Sequence, residues 1–223
     1  ESDPNEKAIA MVTAVDGTLD SAVLSCTAKG TGFDIEEATC YWTFDGRVPT
    51  ADDYDEKGVY VSHTYGLGTV SVALTVVIGD ETMTDVQQDI AFVYPSHTYV
   101  RETNPNAAAP YATWETAATD IQSAIDAAGD GSVVHVSNGT YHVTANVSVM
   151  KQLTVRSVEG WQKTTIDADK KCRCVYLGIA GAVVDGFTLT HGATSSNQDY
   201  GGGALVSEGT LKSCLGTDNK SPA

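Results

Sequence analysis

The side chains best suited to acid–base chemistry are Asp167 and Asp169, two residues apart, with Asp185 further along. A carboxylate pair can protonate a leaving group and activate water, the chemistry of glycoside cleavage. Lys170 and Lys171 follow directly, however, and an Asp-x-Asp-Lys-Lys run has the composition of a solvated turn. His135 and His142 flank a turn, and His191 precedes Gly192, so exposed positions rather than ligand positions are expected for all three. The chain shows no Ser–His–Asp constellation, phosphate-cradling glycine loop or His-Glu-x-x-His stretch. No catalytic residue is expected.

The five cysteines, Cys26, Cys40, Cys172, Cys174 and Cys214, contain no Cys-x-x-Cys pair, so neither a zinc nor an iron–sulfur centre is expected. In an exported protein, two bridges and one spare thiol is the natural arithmetic. A Cys26–Cys40 bridge would close a loop of about 15 residues and stabilise by roughly 3 kcal/mol. Cys214 would pair with Cys174 or Cys172, and the alternative for each cysteine is a small buried hydrophobe. The run Asp52-Asp53-Tyr54-Asp55-Glu56 has the carboxylates that Ca²⁺ favours but lacks the fixed spacing and glycine of a dedicated loop. A solvated loop is expected there, and no metal or cofactor overall. Asn138, Asn146 and Asn219 each begin an Asn-x-Ser/Thr sequon for N-glycosylation.

Charge narrows the partners. The 223 residues carry 13 Lys+Arg against 29 Asp+Glu, a formal charge of −16. That balance argues against nucleic acid, which needs clustered Lys and Arg. No apolar run reaches a membrane span. The polar opening Glu1-Ser2-Asp3-Pro4-Asn5 reads as a chain whose signal peptide was removed or never present. Residues 1–95 hold 17 acids and 4 bases, whereas residues 96–223 hold 12 and 9, which hints at two modules.

The elements follow from apolar periodicity. Up to about Tyr94, short runs alternate: Ala8–Val15, Ala22–Ala28, Ala38–Phe44, Val59–His63, Thr69–Ile78 and Thr82–Val93. Their expected breaks include Asp16-Gly17, Lys29-Gly30 and Gly79-Asp80. In Val70–Val76 the valines and Leu74 share one face while Ser71, Ala73 and Thr75 share the other, so one side should be buried and one wet. Six such strands suggest a sandwich.

Beyond a loop-rich hinge over residues 94–110, Ala117, Ile121, Ala124, Ile125 and Ala128 form a helical apolar stripe with Thr113 or Thr116 as cap. Short β runs then recur, with matching starts near 133, 153, 182 and 210. A repeat of 20–30 residues with brief strands is the pattern of a solenoid.

Two stretches of the first module, Tyr41-Trp42-Thr43-Phe44-Asp45-Gly46 and His63-Thr64-Tyr65 with Gly68-Thr69-Val70 and Leu74-Thr75-Val76, resemble the PKD (polycystic-kidney-disease) domain. The resemblance implies an immunoglobulin-like sandwich of extracellular proteins, with Trp42 at its centre and no catalysis. Pro110–Trp114, Ala117–Ala128 and Val133–Tyr141 are similar to the N-terminal cap of secreted right-handed parallel β-helix proteins of the pectate-lyase-like superfamily. Arg173–Leu177, Val184–Gly192 and Gly201-Gly202-Gly203 resemble its following coils.

The expected architecture is all-β: an Ig-like β-sandwich over residues 1–95, then a short right-handed parallel β-helix with an N-terminal capping α-helix over 96–223. The expected role is a secreted, non-catalytic surface or adhesin-type protein that binds extracellular glycans or surface proteins. Two alternatives stand beside it. One is a head-to-tail filament subunit, because an uncapped last rung is a template for another chain. The other is the N-terminal part of a polysaccharide lyase or hydrolase.

Overall fold

The computed structural model describes residues 7–194 and 201–221, with the side chains of 13–18 left aside; the polar opening Glu1–Asn5 lies outside the described residues. The described residues are mostly β with one short α-helix, and the chain divides into two units, Glu1–Val93 and Tyr94–Ala223. Among the described residues no helix is long and apolar enough to cross a membrane.

The first unit contains β1 (Lys7–Thr18), β2 (Ser21–Thr31), β3 (Thr39–Thr43), β4 (Glu56–Lys57), β5 (Tyr60–Tyr65), β6 (Gly68–Ile78) and β7 (Glu81–Val93). They form two antiparallel sheets, ordered β1-β2-β5 and β4-β3-β6-β7. Alternate residues of β2 (Leu24, Cys26, Ala28) and of β6 (Val70, Val72, Leu74, Val76) meet Trp42 in one buried cluster. Trp42 is fully buried, and its indole N–H donates to Gly58 O at 2.8 Å, so its polar edge is satisfied.

Three expectations for this unit are corrected. Asp16-Gly17 is not a break: β1 continues to Thr18, and the turn falls at Leu19-Asp20, where Asp20 takes φ 77°. Lys29-Gly30 likewise lies inside β2. The second face of β6 is not wet, because Ser71, Ala73 and Thr75 are buried. The loop after β3 covers that face, with Thr75 donating to Pro49 O at 2.7 Å and Thr43 donating to Arg47 O.

The second unit opens with β8 (His97–Val100) and α1 (Ile121–Ala127). The strands β9 (Val133–Val136), β10 (Gly139–His142), β11 (Val147–Val149), β12 (Thr154–Ser157), β13 (Thr164–Asp167) and β14 (Val175–Leu177) follow. Next come β15 (Val183–Asp185), β16 (Thr188–Thr190), β17 (Ala204–Val206), β18 (Thr210–Lys212) and β19 (Leu215–Thr217). All pair in parallel, in three sheets: sheet I, β18-β15-β12-β9-β8; sheet II, β10-β13-β16-β19; and sheet III, β11-β14-β17. From β9 onward the chain visits sheets I, II and III in turn, so every third strand hydrogen-bonds to its predecessor. One such circuit stacks on the next. Register keeps like on like: Val134, Val155, Val184 and Leu211 align in sheet I, and Tyr141, Ile166 and Leu189 in sheet II. These ladders build one continuous core.

The apolar stripe of the helix segment is buried as expected, but the helix starts later than its caps suggested. Asp120 is the N-cap, accepting from Ser123 N at 2.8 Å. Ala118 is held upstream in a parallel bridge to Val100, with hydrogen bonds to Tyr99 and Arg101, so it cannot join the helix. The loop-rich hinge contains a strand, β8, paired with β9. Ala182–Thr190 is two strands, since Gly186 at φ 86° turns the chain from sheet I to sheet II. Gly139–His142, which reads as turn composition, pairs as β10.

Candidate functional site

The passage from sheet II to sheet III lengthens with each circuit, from 143–146 to 168–174 to 191–203. Such growing loops on a regular scaffold are where binding groups accumulate. The last residues of the sheet II strands lead into this corner. His142 of β10 pairs in register with Asp167 of β13, which pairs with Thr190 of β16. Tyr141, Ile166 and Leu189 point into the core, so alternation turns their successors away from it.

Asp167 is nearly buried, and its carboxylate accepts from Asp169 N at 2.9 Å and from His191 Nδ1 at 3.0 and 3.1 Å. Asp169 sits in the left-handed region at φ 49°, as do Lys170 (61°) and His191 (52°). The Asp169 carboxylate accepts from His142 Nδ1 at 3.2 Å and faces Lys171 Nζ at 3.2 Å. Its hydrogen bond with Lys171, helped by His142 and opposed by desolvation, holds that carboxyl below its ordinary range. Ligand atoms of His142, Asp167 and Asp169 lie within 4.8 Å of one another.

Beside this cluster is a cavity of about 340 Å³ lined by Asn146, Lys170, Lys171, Cys172, Arg173 and Thr194. Three of the nine bases in residues 96–223 therefore line one hollow of an acidic protein. Arg173 is anchored there, donating from Nε to Gly201 O at 2.8 Å.

Other residues singled out from sequence lie elsewhere. Asp185 belongs to sheet I, in register between Arg156 (4.0 Å) and Lys212 (3.5 Å). His135 is also on sheet I, stacked on Tyr99 (centroids 5.2 Å apart) with Nε2 3.1 Å from His97 Nδ1. Desolvation first, then the neighbouring His97, lowers its pKa. The acidic run is not merely solvated: Arg47 ion-pairs with its Asp53 and Asp55 at 2.7 and 2.8 Å, and with Asp45 at 3.0 Å.

All five cysteines are free thiols, so the expected bridges are not formed. For Cys174 and Cys214 the reason is position. The Cys174 thiol is 3.3 Å from Thr190 O, and the Cys214 sulfur accepts from Phe187 N at 3.4 Å. These contacts lie at opposite ends of β16, roughly 10 Å apart along an extended strand, beyond the reach of a disulfide. Cys172 sits instead near Val143 O at 3.7 Å. Cys26 and Cys40 both belong to the core of the first unit, and burial pushes each thiol up to about 11.

Of the sequon asparagines, Asn138 is exposed and Asn146 lines the charged cavity. Asn219 is committed internally, accepting from Gly192 N and donating to Leu189 O.

Sequence reasoning did not gather His142, Asp167, Asp169 and His191, nor assign Lys170, Lys171 and Arg173 a common cavity. The available signal was the circuit length, because His142 and Asp167 are separated by the same offset as the paired Gly139 and Thr164.

No family model, no curated protein and no solved structure matches this chain.

Proposed function

We propose that this chain is a secreted, non-catalytic protein of a cell surface or extracellular matrix that binds an acidic glycan at the corner between sheets II and III. In this reading the first unit is an Ig-like sandwich resembling PKD domains, acting as spacer or contact module. The second is a short right-handed parallel β-helix that presents the site. One observation carries the functional part: Lys170, Lys171 and Arg173 converge on one cavity in a chain of net charge −16. Long-range repulsion disfavours polyanions generally, so a local basic hollow selects those that can enter it. The cavity suits one or two sugar rings bearing carboxylate or sulfate, with Asn146 and Thr194 as neutral hydrogen-bonding groups.

Affinity electrophoresis and calorimetry with polygalacturonate, heparin and neutral dextran test this. Binding to an acidic polysaccharide is expected, weaker at high salt and abolished by the double variant Lys170→Glu/Lys171→Glu. Equal retention by dextran, or an unaffected double variant, refutes the site. Release of unsaturated uronide or reducing ends refutes the non-catalytic part and favours a polysaccharide lyase or hydrolase.

A further inference from the structure

The neighbouring cluster differs in chemistry from the basic cavity. In a tetrahedral zinc site, metal–ligand bonds of about 2.0–2.2 Å put ligand atoms about 3.3–3.6 Å apart. Two edges of such a tetrahedron are nearly in place: His142 Nδ1 to Asp169 Oδ1 at 3.2 Å, and His191 Nδ1 to Asp167 Oδ1 at 3.0 Å. Donor atoms of His142, Asp167 and Asp169 fall within 4.8 Å of one another, and His191 joins them through Asp167, so closing the set of four needs side-chain movement. The His142 side chain is 59 % exposed and free to make it.

Charge points the same way. Asp167 is 9 % exposed, and its ion-pair partner among the described residues is His191 rather than a lysine or arginine. A nearly buried carboxylate is stabilised by any cation that can reach it. Two carboxylates and two neutral imidazoles with one divalent ion sum to zero. Mixed imidazole and carboxylate donors suit zinc and its neighbours, whereas Ca²⁺ requires six to eight oxygens.

We infer that His142, Asp167, Asp169 and His191, drawn from three successive circuits, form a binding site for one divalent transition-metal ion of the zinc type. Lys171 is its internal competitor, because its ammonium now occupies the outer oxygen of Asp169. The ion would tie together the ends of β10 and β13 and the start of the 191–203 loop, cross-linking the circuits where their connections are longest. This site shares Lys171 with the adjacent cavity, but its ligands are other residues and it does not rest on the glycan reading.

The test uses the full 223-residue chain, stripped with a chelator and titrated with ZnCl₂ by calorimetry and with CoCl₂ by visible absorption. One ion per chain is expected, with Co²⁺ ligand-field bands and no thiolate charge-transfer band. His142→Asn and His191→Asn should each weaken binding by about tenfold or more, and Lys171→Met should tighten it several-fold. Unchanged unfolding midpoints of the metal-free variants show that the fold is intact. No binding, binding indifferent to His142→Asn, equal affinity for Ca²⁺, or a thiolate charge-transfer band each overturns the assignment.

Discussion

Asn219 is hydrogen-bonded to Leu189, thirty residues earlier: its amide nitrogen donates to the Leu189 carbonyl at 2.8 Å while its oxygen accepts from Gly192 N at 2.7 Å. One short side chain thereby fastens the end of a circuit to the circuit before it. Asn219→Ala leaves a donor and an acceptor of the main chain half-exposed, and should cost about 1–3 kcal/mol. Urea unfolding followed by amide exchange of sheet II residues measures the loss; an unchanged midpoint contradicts the clasp.

The same bond separates the sequons. Oligosaccharide transfer needs the Asn nitrogen free, and that of Asn219 is engaged whereas Asn138 is exposed. Presented already folded to an oligosaccharide-transferring enzyme, the chain should accept glycan on Asn138 and none on Asn219. Peptide mass spectrometry after glycosidase treatment reads this directly.

Lys151 closes the other end of the core. Its Nζ donates to the carbonyls of Ile125, Asp126 and Ala128 at 3.1, 2.8 and 2.6 Å, satisfying acceptors that the end of α1 leaves open. Lys151→Met keeps the apolar stem but removes the donors. A loss of about 1–2 kcal/mol is expected, seen as a lower denaturant midpoint with earlier exchange of α1 amides.

His135 makes stability depend on pH. Its pKa is lowered from 6.5 in the folded state, first by desolvation and then by His97, with Arg156 adding to it. The unfolded chain therefore binds the proton more readily, so stability is full above about pH 6.5 and falls as the pH drops through the folded value. Unfolding midpoints collected from about pH 8 to pH 5 should decline below that point, and His135→Asn should flatten the decline. A slope of opposite sign is incompatible with a neutral, desolvated imidazole.

Thiol reactivity maps burial. Cys26 and Cys40, pushed up to about 11, and Cys174, pushed up to about 12, are held as thiols by the apolar surroundings that bury them. In the reduced native protein, iodoacetamide near neutral pH should reach the half-buried Cys172 and Cys214 first. The other three should react only after unfolding, as intact mass against time will record.

Much of the scaffold was legible because strand patterning is local. The runs read at 133, 153, 182 and 210 differ by at most one residue from the register Val133, Thr154, Val183 and Thr210 of sheet I. The apolar face of β6 was legible in the same way, as was the buried stripe running from Ala117 to Ala128. Errors fell where a distant segment overrules local preference. Thr75 is polar, yet the 45–55 loop folds over it, and the helical stripe starts at Ala117, yet Val100 captures the next residue, Ala118, in a bridge before the helix begins.

What the amino-acid order determined alone is the alternation that makes strands, the repeat that stacks them, and the charge asymmetry between the two halves. It could not disclose that His142 would face Asp169, or that His191 would reach back to Asp167. Those contacts depend on how many residues each corner spends before the next strand begins, from 143–146 to 191–203. Periodicity along one strand carries no information about that length. Only hydrogen-bonded stacking, which aligns each circuit on the one before, turns separated residues into neighbours and gives the corner its chemistry.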